Sequence, residues 1–144
     1  RNQRSTRLLI LGEGEERPRL EFMINKLGLK KEVMLPGFVD NPFNYMHNSA
    51  VFVLSSAWEG LPNVLIQAMA CGCPVVSTNC PSGPAEILEN GKYGPLVLVG
   101  NAEALAQSII SVLDKPPDPL SLQQRAAEFS LDKICEQYLD LLIG

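Results

Sequence analysis

Short apolar runs alternate with stretches of helical periodicity from Leu8 to Leu142, and this alternation constrains the fold more than any other feature. Leu8–Leu11 reads as a buried strand. Glu15–Leu27 reads as a helix in which Leu20, Met23, Ile24 and Leu27 recur at spacings of three and four. Pro18 is tolerated in the first turn of that helix and Gly28 closes it. Val33–Leu35 follows as a second strand ended by Pro36-Gly37, then Pro42–His47 as a short helix and Val51–Leu54 as a third strand. Asn63–Ala70 predicts a helix that stops at Gly72, with Pro62 before its start and Asn63 as its N-cap. Val75–Ser77 is a fourth strand, Pro84–Glu89 a short helix ended by Asn90-Gly91, and Leu96–Val99 a last strand. Ala102–Leu113 is a helix capped by Asn101, and three prolines within Asp114–Pro119 break the chain. Leu120–Phe129 and Leu131–Leu142 are two terminal helices, the second with an apolar stripe through Ile134, Tyr138, Leu141 and Leu142.

Strands separated by helices need crossover connections, which means parallel pairing and helices on both faces of the sheet. The expected class is α/β, a Rossmann-like parallel sheet. In such sheets a ligand lies outside the carboxyl ends of the strands, near a switch in strand order. The loops at those ends are Gly12–Glu16, Gly37–Asn41, Ser55–Asn63 and Thr78–Gly83, and chemistry is expected there.

At 144 residues the chain is expected to be one domain. That length buries roughly 70% of its unfolded surface. A hydrophobic share of 46%, a charged share of 19% and a mean hydropathy of +0.06 are ordinary for a soluble globular protein. Twelve basic against sixteen acidic residues give −4, which argues against nucleic acid as the main partner. No apolar run is long enough to span a membrane, and the polar Arg1–Arg7 leads straight into the first strand without a signal peptide. The cysteines at 71, 73, 80 and 135 lie in apolar or turn-like surroundings, and Cys71-Gly72-Cys73 is too tight for a zinc knuckle. A metal on Cys71, Cys73 and Cys80 would need a fourth ligand, and His47 lies far back in the chain. No metal is expected; the thiols read as reduced and the compartment as cytoplasmic.

The stretch from Ser55 to Ala70 concentrates the functional signal. Strand, loop and helix N-terminus converge there, and the backbone donors and helix dipole at that point suit an anionic group such as a phosphate. One acid, Glu59, precedes Gly60 in the loop; a glycine there lets a ligand approach closely. A carboxylate beside an anion seat suits a ligand whose hydroxyls adjoin a phosphate, as in a nucleotide-sugar. The bland alternative is a solvated loop acid. Gln67 lies about one turn into the helix from Asn63, so its amide can reach back, or it is simply a residue of the helix face. Gly12-Glu13-Gly14 follows a strand as a dinucleotide fingerprint does, but its third glycine would fall at Arg17, and Glu13, Glu15 and Glu16 would repel a pyrophosphate. A tight turn at a pocket edge accounts for it better. Pro36-Gly37-Phe38-Val39 is either a plain turn or a slot for a planar base. Ser82 and Gly83 offer donors in a rigid turn, while Trp58 reads as packing and His47 as a surface or interhelix histidine.

Glu59 to Gln67, with Ala68-Met69-Ala70-Cys71-Gly72-Cys73-Pro74-Val75-Val76 after it, resembles the C-terminal, donor-binding domain of family 4 (group 1) glycosyltransferases, retaining enzymes of the two-domain GT-B fold. The similarity covers nearly the whole chain, including Leu9-Ile10-Leu11-Gly12-Glu13-Gly14, Val33-Met34-Leu35-Pro36-Gly37-Phe38 and Glu86-Ile87-Leu88 before Gly91 and Gly94. The resemblance implies that Glu59 and Gly60 meet the donor sugar, Glu59 being the catalytic-site acid. Leu61 and Pro62 would line the sugar, and Asn63 and Val64 would receive the diphosphate. Gln67 would hold the ribose, and Gly37, Phe38 and Val39 would flank the base. The substrate so implied is a nucleoside-diphosphate sugar, with no cofactor and no metal. The acceptor would be a cell-envelope glycan or lipid-linked, with the enzyme cytoplasmic or peripheral at the inner membrane face.

Two departures from the family pattern stand out. Its second acid is Gln67 here, an amide that loses the charge-assisted strength of a carboxylate, roughly a factor of two. The domain also reads as lacking its first strand-helix unit, which in the family supplies an Arg and a Lys to the diphosphate; Arg7 and Lys92 are candidate substitutes. The chain therefore reads as a fragment, its partners being an N-terminal acceptor domain or a second chain that completes the sheet. Three other readings stay open: a non-catalytic nucleotide-sugar-binding module, a sugar-nucleotide epimerase, and a Rossmann oxidoreductase. The Glu59–Gln67 block disfavours the epimerase, and Arg17 disfavours the oxidoreductase.

Overall fold

A computed structural model describes residues 5–143, so that of the polar leading stretch residues 1–4 lie outside it. The chain resolves into two compact units, Arg1–Pro42 and Phe43–Gly144.

The first unit is a strand-helix-strand crossover: β1 (Leu8–Leu11), α1 (Arg17–Leu27) and β2 (Val33–Gly37). The two strands pair in parallel, as the alternation requires. The helix begins two residues later than its periodicity suggests. Pro18 sits in its first turn and the Arg17 N–H closes a turn onto the Gly14 carbonyl, so Glu15 and Glu16 stay outside. Gly28 ends it in the left-handed region, its N–H on Asn25 O and that of Leu29 on Ile24 O.

Pro36-Gly37 does not end β2 but lies within it. Leu9 pairs with Met34 while Leu11 pairs with Gly37, so β2 carries an extra residue in a bulge. A bulge is where a strand tolerates a proline, which has no N–H for the ladder.

Apart from its first residue, α2 (Pro42–His47) belongs to the second unit, where it is followed by β3 (Phe52–Leu54), α3 (Asn63–Ala70), β4 (Val75–Thr78), α4 (Pro84–Ile87) and β5 (Leu96–Val97). Three helices complete it, α5 (Ala102–Asp114), α6 (Pro119–Ala127) and α7 (Leu131–Ile143). Its strands are parallel in the order β3-β4-β5. All four residues of β4 are buried, the signature of a central strand covered on both faces. Here α3 packs on β3 and β4, α5 on β4 and β5, and α6 on α3. The core of this unit is built on Leu65, Met69, Val75, Ile87, Leu88 and Leu122, each without exposed surface.

Several boundaries expected from the sequence change in this unit, β3 beginning at Phe52 and α6 running from Pro119 to Ala127 among them. β4 runs one residue further, to Thr78, which therefore belongs to the strand rather than to the loop after it. β5 stops at Val97, since Leu98 is 72% exposed and no longer pairs. α4 stops at Ile87 because Glu89, Asn90 and Gly91 all turn to positive φ. Asn101 does cap α5, its Oδ1 accepting from Ala104 N–H at 3.0 Å.

Candidate functional site

The loop from Ser55 to Pro62 joins the end of β3 to the start of α3 and is tied down at its base by the neighbouring strand. Thr78, buried at the end of β4, donates its hydroxyl to Ser56 O at 2.6 Å and lies 3.4 Å from Leu54 O. From that anchored position Ser56 donates its own hydroxyl to Oε1 of Glu59 at 2.6 Å. Glu59 is half-buried, between exposed Trp58 and exposed Gly60. A hydroxyl donor orients the carboxylate without neutralising it, whereas an arginine or lysine partner would.

A second contact fixes the far end of the loop. Gly83, at φ +81°, closes the turn before α4, and its backbone lies against Pro62 and the Gly60 carbonyl. A Cβ there would sit 2.3 Å from Pro62 Cδ and 2.7 Å from Gly60 O, so only glycine fits. Ser82 precedes it with φ +67°, an uncommon conformation for a residue with a side chain. Gly83 thus meets the loop by packing, a role that its reading as a donor did not include, whereas Ser82 is exposed.

At the helix mouth, the sequence expectation for Asn63 needs correction. Pro62, at φ −75° and ψ 81°, occupies the N-cap position, and Asn63 is the first helical residue. The Asn63 N–H turns back onto Leu61 O at 2.9 Å, and the Leu65 N–H onto Pro62 O at 2.9 Å. No side-chain cap hydrogen bond is made at the start of this helix. Asn63 and Val64 are exposed there, and Gln67 is half-buried about one turn further along. The opposite face of α3, through Leu65, Ala68 and Met69, is buried.

The remaining expectations sort by environment. Trp58 is 80% exposed and does not pack as the sequence suggested; it stands in an irregular loop whose neighbours Ala57 and Gly60 are exposed as well. Lys92 is committed to Glu89 at 2.6 Å and lies over the Tyr93 ring; the carboxylate raises the lysine's pKa and is itself held low by the ammonium. Arg7 is exposed in the first unit. His47 is exposed, its Nδ1 3.3 Å from Cys71 O at the end of α3. All four cysteines are free thiols, and burial pushes Cys73 up to about 11. Among the described residues no group of three or more His, Cys, Asp or Glu side chains is gathered to hold a metal ion, and no helix is long and apolar enough to cross a membrane.

Gly37, Phe38 and Val39 belong to the first unit and Glu59 to Gln67 to the second. In the first, the Gly12 N–H donates to Gly37 O at 2.8 Å, and Gly37 has φ +80°. Glu13 Oε1 lies 2.6 Å from where a Cβ on Gly37 would stand, but a flexible carboxylate can move aside, so it is the positive φ that favours glycine here. Phe38 is 83% exposed and Val39 half-buried. Arg17, at the place of a third fingerprint glycine, has a structural role. It pairs with Glu13 at 2.5 Å and Glu21 at 2.9 Å and donates to Leu35 O at 3.0 Å. The turn at Gly12-Glu13-Gly14 does edge a cavity, of about 190 Å³, that Arg17, Leu20 and Leu35 also line.

Ser56 and Thr78 were not singled out by sequence reasoning. Ser56 stands three residues before Glu59, a spacing at which a serine can reach an acid across a tight loop, and that was the available signal. Thr78 gave none, since its partner is 22 residues away in the chain.

Comparison with known proteins places the chain in one family. Residues 1–129 match the family described as glycosyl transferases group 1. An uncharacterized glycosyltransferase of Methanocaldococcus jannaschii is 33% identical, over 97% of this chain and 42% of its own. The N-acetylgalactosamine-N,N'-diacetylbacillosaminyl-diphospho-undecaprenol 4-alpha-N-acetylgalactosaminyltransferase of Campylobacter jejuni is 36% identical, over 96% of this chain and 39% of its own. The chain thus spans about two-fifths of the length of these curated relatives. Among solved structures, a variant of S. aureus TarM in complex with fondaparinux, alpha-GlcNAc-glycerol and UDP superposes with a TM-score of 0.85 at 25% identity, over 96% of this chain and 29% of that one. The fold is α/β with parallel strands, and its structural neighbours are GT-B glycosyltransferases. On the strength of a family match over residues 1–129, the chain belongs to the group 1 glycosyl transferases.

Proposed function

We propose that this chain is the donor-binding part of a retaining hexosyltransferase of family 4, which uses a nucleoside-diphosphate sugar. The observation that carries the reading is the half-buried Glu59, oriented by Ser56 and set ahead of Gly60 and a helix mouth without a side-chain cap. In this reading Glu59 accepts hydrogen bonds from the sugar hydroxyls beside Gly60, Leu61 and Pro62. The start of α3 at Asn63 and Val64 faces the diphosphate, where helix dipole and backbone N–H favour negative charge. The Asn63 N–H first has to leave Leu61 O, so the Val64 N–H is the better placed donor.

In the transition state the leaving diphosphate gains negative charge, and fixed dipoles aimed at it lower the barrier. Gln67 takes the ribose hydroxyls by amide hydrogen bonds, and the assignment of the base to Gly37, Phe38 and Val39 is carried by the family resemblance. No metal or other cofactor enters this reading. The C. jejuni relative is named for transfer to a diphospho-undecaprenol-linked sugar and the TarM variant was crystallised with UDP. The first supports a lipid-linked acceptor and the second a UDP-type donor; the placement at the cytoplasmic face of a membrane is carried by the family resemblance alone. A second reading, a non-catalytic nucleotide-sugar-binding module, is favoured by Gln67 in place of the family's second acid.

Calorimetric titration with UDP, GDP, their sugars and NAD tests the proposal. Sugar nucleotides should bind more tightly than the bare diphosphates, and Glu59→Ala should remove that difference. Tight NAD binding, or sugar binding unchanged in Glu59→Ala, would overturn it. Transfer or hydrolysis of the bound donor separates an enzyme from a module.

A further inference from the structure

We propose that Ser56 and Thr78 are positioning residues that preset Glu59 for the donor sugar, an inference that rests on the donor-binding reading above. The loop Ser55–Pro62 has no regular structure and is largely exposed, so a glutamate on it would by itself sample several rotamers. Two hydrogen bonds in series remove that freedom. Thr78 is 4% exposed on β4, the middle strand of its sheet, and its hydroxyl donates to Ser56 O at 2.6 Å. The Ser56 hydroxyl donates in turn to Glu59 Oε1, also at 2.6 Å, within the range of charge-assisted O–H···O⁻ bonds. Position thus passes from a rigid strand through a backbone carbonyl to the carboxylate. A site residue supported in this way is already in its working geometry before the ligand arrives.

The same bond shapes specificity. With Oε1 engaged by Ser56, Oε2 is the carboxylate oxygen left for a ligand, and the partner, a hydroxyl, brings no opposite charge to the acid. The group it suits is a hydrogen-bond donor, as a sugar hydroxyl is, and a second anion in that place is repelled.

Calorimetry on the purified chain with UDP, GDP and their glucose and N-acetylhexosamine derivatives tests this, with urea denaturation recorded for every variant. Ser56→Ala should lose about tenfold in affinity for the preferred sugar nucleotide while its affinity for the bare diphosphate stays unchanged. Ser56→Thr, which keeps the hydroxyl, should retain most of the affinity, and Thr78→Val should shift in the same direction as Ser56→Ala. In a Glu59→Ala background, Ser56→Ala should cost nothing further, because its effect passes through the missing carboxylate. Equal loss for diphosphate and sugar nucleotide, an additive loss in the Glu59→Ala background, or full affinity in Ser56→Ala would overturn the inference and leave the donor reading standing. A parent chain that binds none of these ligands would overturn the donor reading and this inference together.

Discussion

Gly83 and Pro62 touch across two loops of the second unit: the pyrrolidine Cδ lies 2.3 Å from where a Cβ on Gly83 would stand. The turn before α4 therefore sets the position of the chain just before α3. Gly83→Ala meets both a steric and a conformational obstacle, because Gly60 O is also only 2.7 Å from that Cβ and φ is +81°. It is expected to destabilise the protein by about 1–3 kcal/mol, read from the urea midpoint. Gly91→Ala is the control. Its φ is +101°, but its Cβ would meet only Gly94 O at 3.9 Å, so it carries the backbone strain without the clash. A Gly83 variant no less stable than the Gly91 variant would show that the contact with Pro62 relaxes cheaply.

Arg125 on α6 fastens the other end of α4. Its side chain is only 15% exposed, and it donates to Ile87 O at 2.9 Å and Glu86 O at 2.7 Å, satisfying carbonyls that the end of a helix leaves open. The guanidinium also stacks on Phe129, 4.8 Å from the ring centroid. Arg125→Met keeps the apolar stem and removes every donor, and should cost about 2–4 kcal/mol. Arg125→Lys should recover less than half of that loss, since a point charge cannot match two carbonyls and a ring face together. Thermal denaturation of both variants checks the order.

Much of this arrangement was legible in the chain, and the parts that were not share a cause. Val75-Val76 identifies a buried strand, and the cap at Asn101 the start of α5, because an apolar run and a capping residue are local properties of sequence. Pro36 was read as a strand terminator, since a proline breaks the ladder, but the bulge that accommodates it depends on the register with β1. Asn63 was taken as the cap on propensity. The turn of its N–H onto Leu61 O moves the cap to Pro62, and that turn is fixed partly by Gly83, 20 residues on. Thr78 was read as the first residue of a loop, yet it completes a buried strand, its hydroxyl finding a carbonyl on the neighbouring loop. Glu59 was singled out as a candidate by its place after a strand end. The group that orients it needed coordinates.

Trp58 is the one tryptophan of the chain and stands next to Glu59 with 80% of its surface exposed. Its emission should therefore be that of a water-exposed indole and should change saturably when a sugar nucleotide occupies the site. The midpoint of that change should agree with the calorimetric affinity. Trp58→Phe should abolish the signal and alter stability by no more than about 0.5 kcal/mol, as a surface position does. A blue-shifted emission in the free protein would contradict the exposed side chain.

Cys73 makes stability fall at alkaline pH. Burial beside Ser49 and Pro74 raises its thiol from 9.0 to about 11. Below pH 9 the thiol is protonated in folded and unfolded chains alike, and its contribution is complete. Between about 9 and 11 only the unfolded chain releases the proton, so the unfolded state is favoured by up to about 1.4 kcal/mol per pH unit. The difference in urea midpoint between the parent and Cys73→Ala should accordingly shrink as pH rises through that window. Iodoacetamide at pH 8 should label exposed Cys135 well before Cys73.

Gln67→Glu restores the acid that the family pattern places eight positions after Glu59. In the donor-binding reading Gln67 meets ribose hydroxyls by neutral hydrogen bonds, and a carboxylate there would make them charge-assisted, roughly twice as strong. A gain of about 1 kcal/mol corresponds to about fivefold tighter binding, and it should be equal for a nucleoside diphosphate and its sugar because both carry the ribose. That equality distinguishes this position from Ser56 and Glu59, whose variants should separate the two ligands. Charge repulsion from the diphosphate works against the gain, so low salt should diminish it and high salt reveal it. Stability should scarcely change, because residue 67 is half-buried and the buried face of α3 runs through Leu65, Ala68 and Met69. If Gln67→Glu weakens both ligands at every salt concentration, the amide is the group this site requires, and the ribose assignment to residue 67 fails.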